Sequence, residues 1–235
     1  GQCGVQLQPL VDALRAEVLA CPVLHADETP VQMLKPGAGK THRAYLWAYA
    51  AGRFEPLRAV VYDFCESRAG KHASAFLEGW RGHLMVDDYA GYNAVLRSGG
   101  VVELGCLAHA RRKFFDLHQS GGSPIAAKAL EYSLRRWDAL ARFVEDGRLP
   151  VDNNHLEGQI RPIAVGKHNW LFAGSLRAGQ RAAAVMTLVN SARLNGHDPY
   201  AYMKDVLQRL PSHKMSAIAA LLPHRWQPRH AVVIA

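Results

Sequence analysis

The chain has 235 residues, with 28 Lys and Arg against 20 Asp and Glu, a formal charge of +8. A composition that is 49% apolar and 20% charged describes a folded chain, not a disordered one. There is no run of about 18 apolar residues to span a membrane, and the opening GQCGVQLQPL has no signal-peptide layout. It also has no initiator Met, so the chain reads as a piece of something longer. The cysteines, Cys3, Cys21, Cys65 and Cys106, form no C-x-x-C pair, which favours a reducing cytoplasm over a disulfide framework. The basic charge favours a polyanionic partner without identifying it.

Residues 5–20 carry Leu7, Leu10, Leu14 and Val18 at helical spacing, and Pro22 ends the run. Three extended stretches follow, 23–27 continuing towards Leu34, 44–51, and 57–64. Their short Gly- and Pro-bearing connections favour an antiparallel meander. PGAGKT at 36–41 lacks the first Gly of a P-loop and precedes a strand, so it reads as a hairpin loop. A helix is expected over 68–80, with Ala69, Ala73, Phe76, Leu77 and Trp80 on one face. A fourth strand (83–89), a short helix (91–96), a fifth strand (101–105) and a helix over 107–118 come next. GGSP at 121–124 is a break. Leu130, Leu134, Trp137, Ala141 and Val144 then predict one long amphipathic helix. Asp152 and Asn153 are N-cap candidates for a short helix that Pro162 truncates or kinks. Helices over 177–194 and 200–210 close the chain, with Asn195-Gly196 and Asp198-Pro199 as stop and start signals. The order predicts an α/β fold with a mixed sheet.

Asp27 sits in an apolar strand, where a carboxylate needs compensation. Alternation puts Val23, His25 and Asp27 on one face, and Leu24, Ala26 and Glu28 on the other. In VDDYAGY, Met85 and Asp87 share a face while Asp88 points away. Glu157 lies in the short helix, with Arg161 placed for an i, i+4 ion pair. If the two strands are neighbours and the helix crosses them, three acids can hold two hard cations, Mg²⁺ or Mn²⁺, for in-line phosphoryl displacement. By itself a triad at these spacings fits many folds.

HADETPV, VDDYAGYNAV, GCLAHARRKF and DNNHLEGQIRPIAVGKHNWLFAGS occur in this order, followed by NG-x-DPYAYM and LLPHRW. Together they strongly resemble the transposases of bacterial insertion-sequence family sixty-six, over nearly the whole chain. The resemblance implies a DDE transposase with an RNase H-like catalytic domain, and Asp27, Asp87 and Glu157 as its catalytic, metal-binding acids. It implies cleavage and strand transfer of an insertion sequence, with double-stranded DNA, both element ends and target, as partner. A homo-oligomer on DNA at the bacterial nucleoid follows, without a membrane. The family pattern usually has Gly after the second Asp, where this chain has Asp88, and Arg after the Glu, where it has Gly158. It tends to read Arg-Lys where this chain has Lys167-His168.

On this reading the chain divides into a helical lead-in (1–21), an RNase H-like domain with a five-stranded mixed sheet (22–176) and a helical tail (177–235). A helical insertion at about 121–150 precedes the last catalytic helix. Arg111, Arg112, Lys113, Arg161, Lys167, Asn169 and Trp170 are candidate DNA contacts, since basic groups beside an aromatic suit phosphates and a stacked base. His25, Cys106 and His109 are near-site candidates. Cys106-Leu-Ala-His109 is half of a zinc spacing, and no second pair follows it. The alternatives are an RNase H-like metal-dependent nuclease and a DNA-binding remnant that no longer cuts.

Overall fold

A computed structural model of the chain describes residues 5–228 except 36, 38, 121 and 122, and only the backbone at 117–120 and 123–127. At its centre is a mixed sheet. β1 (Val23–Lys35), β2 (Lys40–Ala51) and β3 (Val60–Cys65) form an antiparallel meander. β4 (Gly82–Val86) and β5 (Val101–Gly105) run parallel to β1 on its other side, in the order β3-β2-β1-β4-β5. A sixth strand, β6 (Phe172–Ala173), pairs with β1 at Gln32 and Met33, so the expected five strands become six. Two residues are too few to show a period of two in the sequence.

The helices are α1 (Gln8–Val18), α2 (Lys71–Phe76), α3 (Asn93–Arg97), α4 (Leu107–Ser120), α5 (Ser123–Arg135) and α6 (Trp137–Ala141). They continue with α7 (Asn154–Trp170), α8 (Leu176–Leu194) and α9 (Pro199–Arg209). None among the described residues is long and apolar enough to cross a membrane. β1, central in the sheet between antiparallel β2 and parallel β4, is covered on both faces. Leu24 and Ala26 face a core holding Leu10 and Leu14 of α1, Phe76 of α2, Leu188 of α8 and Tyr202 of α9. Val31 and Met33 face Leu156, Ile160 and Ile163 of α7. Lead-in and tail therefore share one core on the even-numbered face of β1.

β3 is an edge strand, and α8 closes it. Ser191 Oγ accepts from the Val60 N–H (3.1 Å) and donates to its carbonyl (3.0 Å), while Thr187 Oγ1 accepts from the Tyr62 N–H (2.9 Å). These side chains satisfy backbone groups that would otherwise offer a template for aggregation. The helix comes this close at Gly179, where a Cβ would stand 2.2 Å from the Phe64 ring.

Several expected boundaries move. The helix expected over 68–80 is regular only at Lys71–Phe76, with Gly79 at φ +75°. The third strand begins at Val60, not 57, and the fourth ends at Val86, so Asp87 opens a turn. The helix around Glu157 is not short. It runs through Pro162 to Trp170. The long helix expected across Leu130 to Val144 breaks at Arg136, and its expected apolar face is outside: Leu134 is 73% exposed and Trp137 62%. Burial instead follows Ala129, Tyr132, Arg136 and Leu140, because Arg136 pairs with Glu103 and Asp88 beside β5. Gly121 and Gly122 of the GGSP break, like Cys3, lie outside the described residues, and so do Pro36 and Ala38 of the β1–β2 loop.

Candidate active site

β1 and β4 pair in parallel with His25 beside Met85. Continuing that register by two residues sets Asp27 beside Asp87, one residue beyond the end of β4. Asp87 Oδ1 accepts from the Tyr89 N–H (2.9 Å), which fixes the turn. α7 crosses the odd-numbered face of β1 and carries Glu157 in its first turn. Asp27, Thr29, His109, Arg112, Asn154, Glu157, Gly158 and Arg161 line one open cleft of about 630 Å³. Asp88 turns away, as alternation predicts, and pairs with Arg135 and Arg136.

Burial, then the charge of Glu28, push the Asp27 carboxyl from 3.8 up to about 7. The Glu28 N–H on Asp27 Oδ1 (2.7 Å) opposes this, and the charges of Asp87 and Glu157 add to it. Glu28 itself lies on the other face of β1. Burial pushes its carboxyl up, against Arg68 (Nε–Oε1 2.7 Å) and the Tyr92 hydroxyl (2.9 Å). Arg68 is in turn stacked on the Tyr89 ring, 3.7 Å from its centroid.

Glu157 faces His109, not Arg161. His109 Nδ1 is 3.7 Å from Glu157 Oε1, and neither atom has a hydrogen-bond partner although both are buried. Among the described residues no ion pair joins Glu157 to Arg161. Cys106 is fully buried at the start of α4. Its Sγ accepts from the Asn153 N–H (3.3 Å) and from the N–H groups of Ala108 and His109. Burial raises the thiol's pKa, and these donors oppose the rise. Cys106, His109 and Glu157 can each turn a ligand atom to within 4.8 Å of the others.

His25 is a packed core residue. Its Nδ1 is 2.7 Å from Asn153 Oδ1, its ring lies 5.4 Å from that of His155, and burial lowers it to about 4. Asn153 is the residue that the sequence undervalued. It precedes α7 without capping it by its side chain, because that side chain turns inward and donates to the Ala26 carbonyl (3.1 Å). One buried Asn thus ties β1, Cys106 and the start of α7 together. An apolar strand with His at position 25 was the available signal, since a buried imidazole needs a partner.

The basic candidates separate. Arg112 and Arg161 line the carboxylate cleft. Lys167 lies outside that lining and donates to the Pro30 carbonyl of β1 (3.2 Å). Asn169 is exposed. Arg111 lies on a different groove, with Phe114 and Trp137, and Lys113 stands over the Tyr132 ring (4.9 Å). Trp170 lines an apolar pocket of about 330 Å³ with Val31, Leu46 and Phe64. Gly158 is exposed, and a Cβ there would meet nothing within 4 Å.

A family model described as Transposase IS66 family matches residues 1–132 and 123–181, and one described as IS66 C-terminal element matches 187–224. Relatives in Sinorhizobium fredii (strain NBRC 101917 / NGR234) include the uncharacterized proteins y4qI and y4jD. The first is 32% identical over 299 residues, covering 97% of this chain and 55% of the relative. The second is 31% identical over 292 residues, covering 94% and 57%. The chain thus spans little more than half the length of these relatives. Since 97% of the chain is about 228 residues, y4qI carries about 70 more within the matched 299. The two matched segments of the family model overlap at 123–132, at the start of α5.

Proposed function

The chain belongs to the IS66 transposase family, and from that premise we propose that its cleft cleaves and joins DNA as a DDE-type transposase. The observation that carries this reading is the convergence on Asp27: burial and three neighbouring acids, Glu28, Asp87 and Glu157, hold its carboxyl near 7 beside an open cleft. A site built this way favours a bound hard cation, and the oxygen donors of Asp27, Asp87 and Glu157 suit Mg²⁺ or Mn²⁺. The buried, unpartnered Glu157 Oε1 fits the same purpose. A bound pair of such ions supplies charge neutralisation and an activated oxygen nucleophile for in-line displacement at phosphorus.

The chain's own residues do the rest. Asp27 lines the cleft and Asp87 stands beside it in strand register, the two held by hydrogen bonds from the Glu28 and Tyr89 N–H groups. Glu157 approaches from α7, whose first turn Asn153 pins to β1. Arg112 and Arg161 on the cleft lining meet phosphates, and Lys167 extends the basic track. The strand order, with three antiparallel and three parallel strands meeting at β1, supports the RNase H-like reading. Such contacts neutralise phosphates without reading bases, so binding is weakly sequence-selective and falls steeply with salt.

The test is nicking of supercoiled plasmid in Mg²⁺, with transfer of a labelled element end as the second step. Cleavage lost in Asp27→Asn, together with strand transfer by the unaltered chain, is the expected result. Cleavage without transfer would favour a nuclease. The roughly 70-residue shortfall inside the matched stretch favours a DNA-binding remnant as the second reading, and DNA binding with no cleavage in Mg²⁺ or Mn²⁺ would establish it.

A further inference from the structure

Cys106, His109 and Glu157 bring three metal-binding chemistries to one point: a thiol, an imidazole nitrogen and a carboxylate oxygen, all within 4.8 Å of one another. Cys106 immediately precedes α4, His109 lies in its first turn, and Glu157 comes from the first turn of α7. His109 Nδ1 and Glu157 Oε1 face each other at 3.7 Å, buried and without hydrogen-bond partners. Burying polar atoms unsatisfied is costly, so the gap between them calls for an occupant. Bonds of about 2.0–2.3 Å at tetrahedral angles set ligand atoms about 3.3–3.8 Å apart, which is the spacing of this pair. A thiolate is a poor ligand for Mg²⁺ and a good one for Zn²⁺.

We propose that Cys106, His109 and Glu157 form a zinc site, with the fourth position open to the cleft that His109 and Glu157 line. On binding, the Cys106 S–H bond breaks, its proton goes to solvent and the sulfur electron pair forms the S–Zn bond. No redox step is involved. The N–H groups of Ala108, His109 and Asn153 aimed at Sγ favour the thiolate that results. His109 enters neutral, through the Nδ1 lone pair. The site shares Glu157 with the carboxylate set. Given the transposase reading above, Zn²⁺ therefore draws Glu157 out of that set and inhibits Mg²⁺-supported cleavage.

The probe is Co²⁺, titrated into the full chain at neutral pH without Mg²⁺ or DNA. One equivalent should give an ultraviolet thiolate-to-cobalt charge-transfer band and intense visible bands of a tetrahedral site, both removed by Zn²⁺. Cys106→Ser keeps an oxygen to cap α4, so the fold persists, and the charge-transfer band should disappear. His109→Ala and Glu157→Gln should each weaken Co²⁺ binding by about tenfold or more. Asp27→Asn should lose nicking yet keep the cobalt spectrum, which separates this site from the fate of the transposase reading. A folded chain with no charge-transfer band overturns the proposal. So does unchanged affinity in both His109→Ala and Glu157→Gln. Zn²⁺ binding without inhibition of an active chain overturns the shared role of Glu157.

Discussion

Replacing Asp27 by Asn should stabilise the protein while abolishing the cleavage proposed for it. The carboxamide is nearly isosteric, and its Oδ1 can keep the hydrogen bond from the Glu28 N–H. What it removes is a buried charge among Glu28, Asp87 and Glu157. The Asp27 carboxyl moves from 3.8 to about 7 on folding, roughly a thousandfold in proton affinity. At ~1.4 kcal/mol per tenfold this is a ceiling of about 4 kcal/mol above pH 7. Relaxation of the neighbouring acids brings the expected gain to about 2–3 kcal/mol, or about 5–10 °C in Tm for a chain of this size. The sign follows from proton counting. Between about pH 3.8 and 7 the folded state keeps a proton that the unfolded state has released, so the wild type loses stability as pH rises through that window. The Asn variant has no such loss. The difference in Tm should therefore be near zero below about pH 3.8, grow through the window and stay constant above about 7. His25, lowered to about 4, titrates in the opposite sense over much of the same range. The difference between variant and wild type, not the wild-type curve, carries the test. Melting curves across this range, with and without Mg²⁺, measure it, and saturating Mg²⁺ should narrow the gap by stabilising the wild type. An equal Tm at pH 8, or one offset at all pH values, would refute the reasoning.

Asp87→Asn should abolish plasmid nicking while Asp88→Asn keeps most of it. The latter should lower stability instead, since Asp88 pairs with Arg135 and the buried Arg136. Equal loss of nicking in both folded variants would sink the assignment. Gly158→Ala should raise stability by about 0.8–1.0 kcal/mol, because the site is exposed, helical and free of neighbours at the Cβ position. No rise in Tm would mean that the cleft needs a flexible backbone there. Asn153→Ala should cost about 2–4 kcal/mol in denaturant unfolding, since the Ala26 carbonyl and His25 Nδ1 lose their buried partner together. His25→Leu should flatten the acid limb. Neutral His25 stabilises above about pH 6.5, and that contribution is lost as pH falls towards 4.

Local chemistry alone determines much of this protein. Period-two alternation along residues 23–27 puts Asp27 and Glu28 on opposite faces, and the protein keeps them there. Asn195-Gly196 and Asp198-Pro199 stop and start the tail helices where capping rules require. Gly196 stands at φ +76°, and Asp198 accepts from the Ala201 N–H at 2.7 Å. The motif words carry the family. Tertiary structure decides what depends on partners distant in sequence. Pro162 does not end α7, because Leu156, Ile160 and Ile163 are buried against the sheet on both sides of it and hold the helix together. The apolar stripe of Leu130, Leu134 and Trp137 does not choose the buried face of its helices. The ion pairs of Arg136 with Glu103 and Asp88 do, and they leave that stripe exposed. Asn153 reads as a cap and is a buried tie, since only the fold brings His25 and Cys106 to it. Glu157 has a basic residue at i+4 in the sequence, yet the fold sets His109 of α4 against it. A helical period states which residues share a face, but the energy of that face is set by what the rest of the chain places against it.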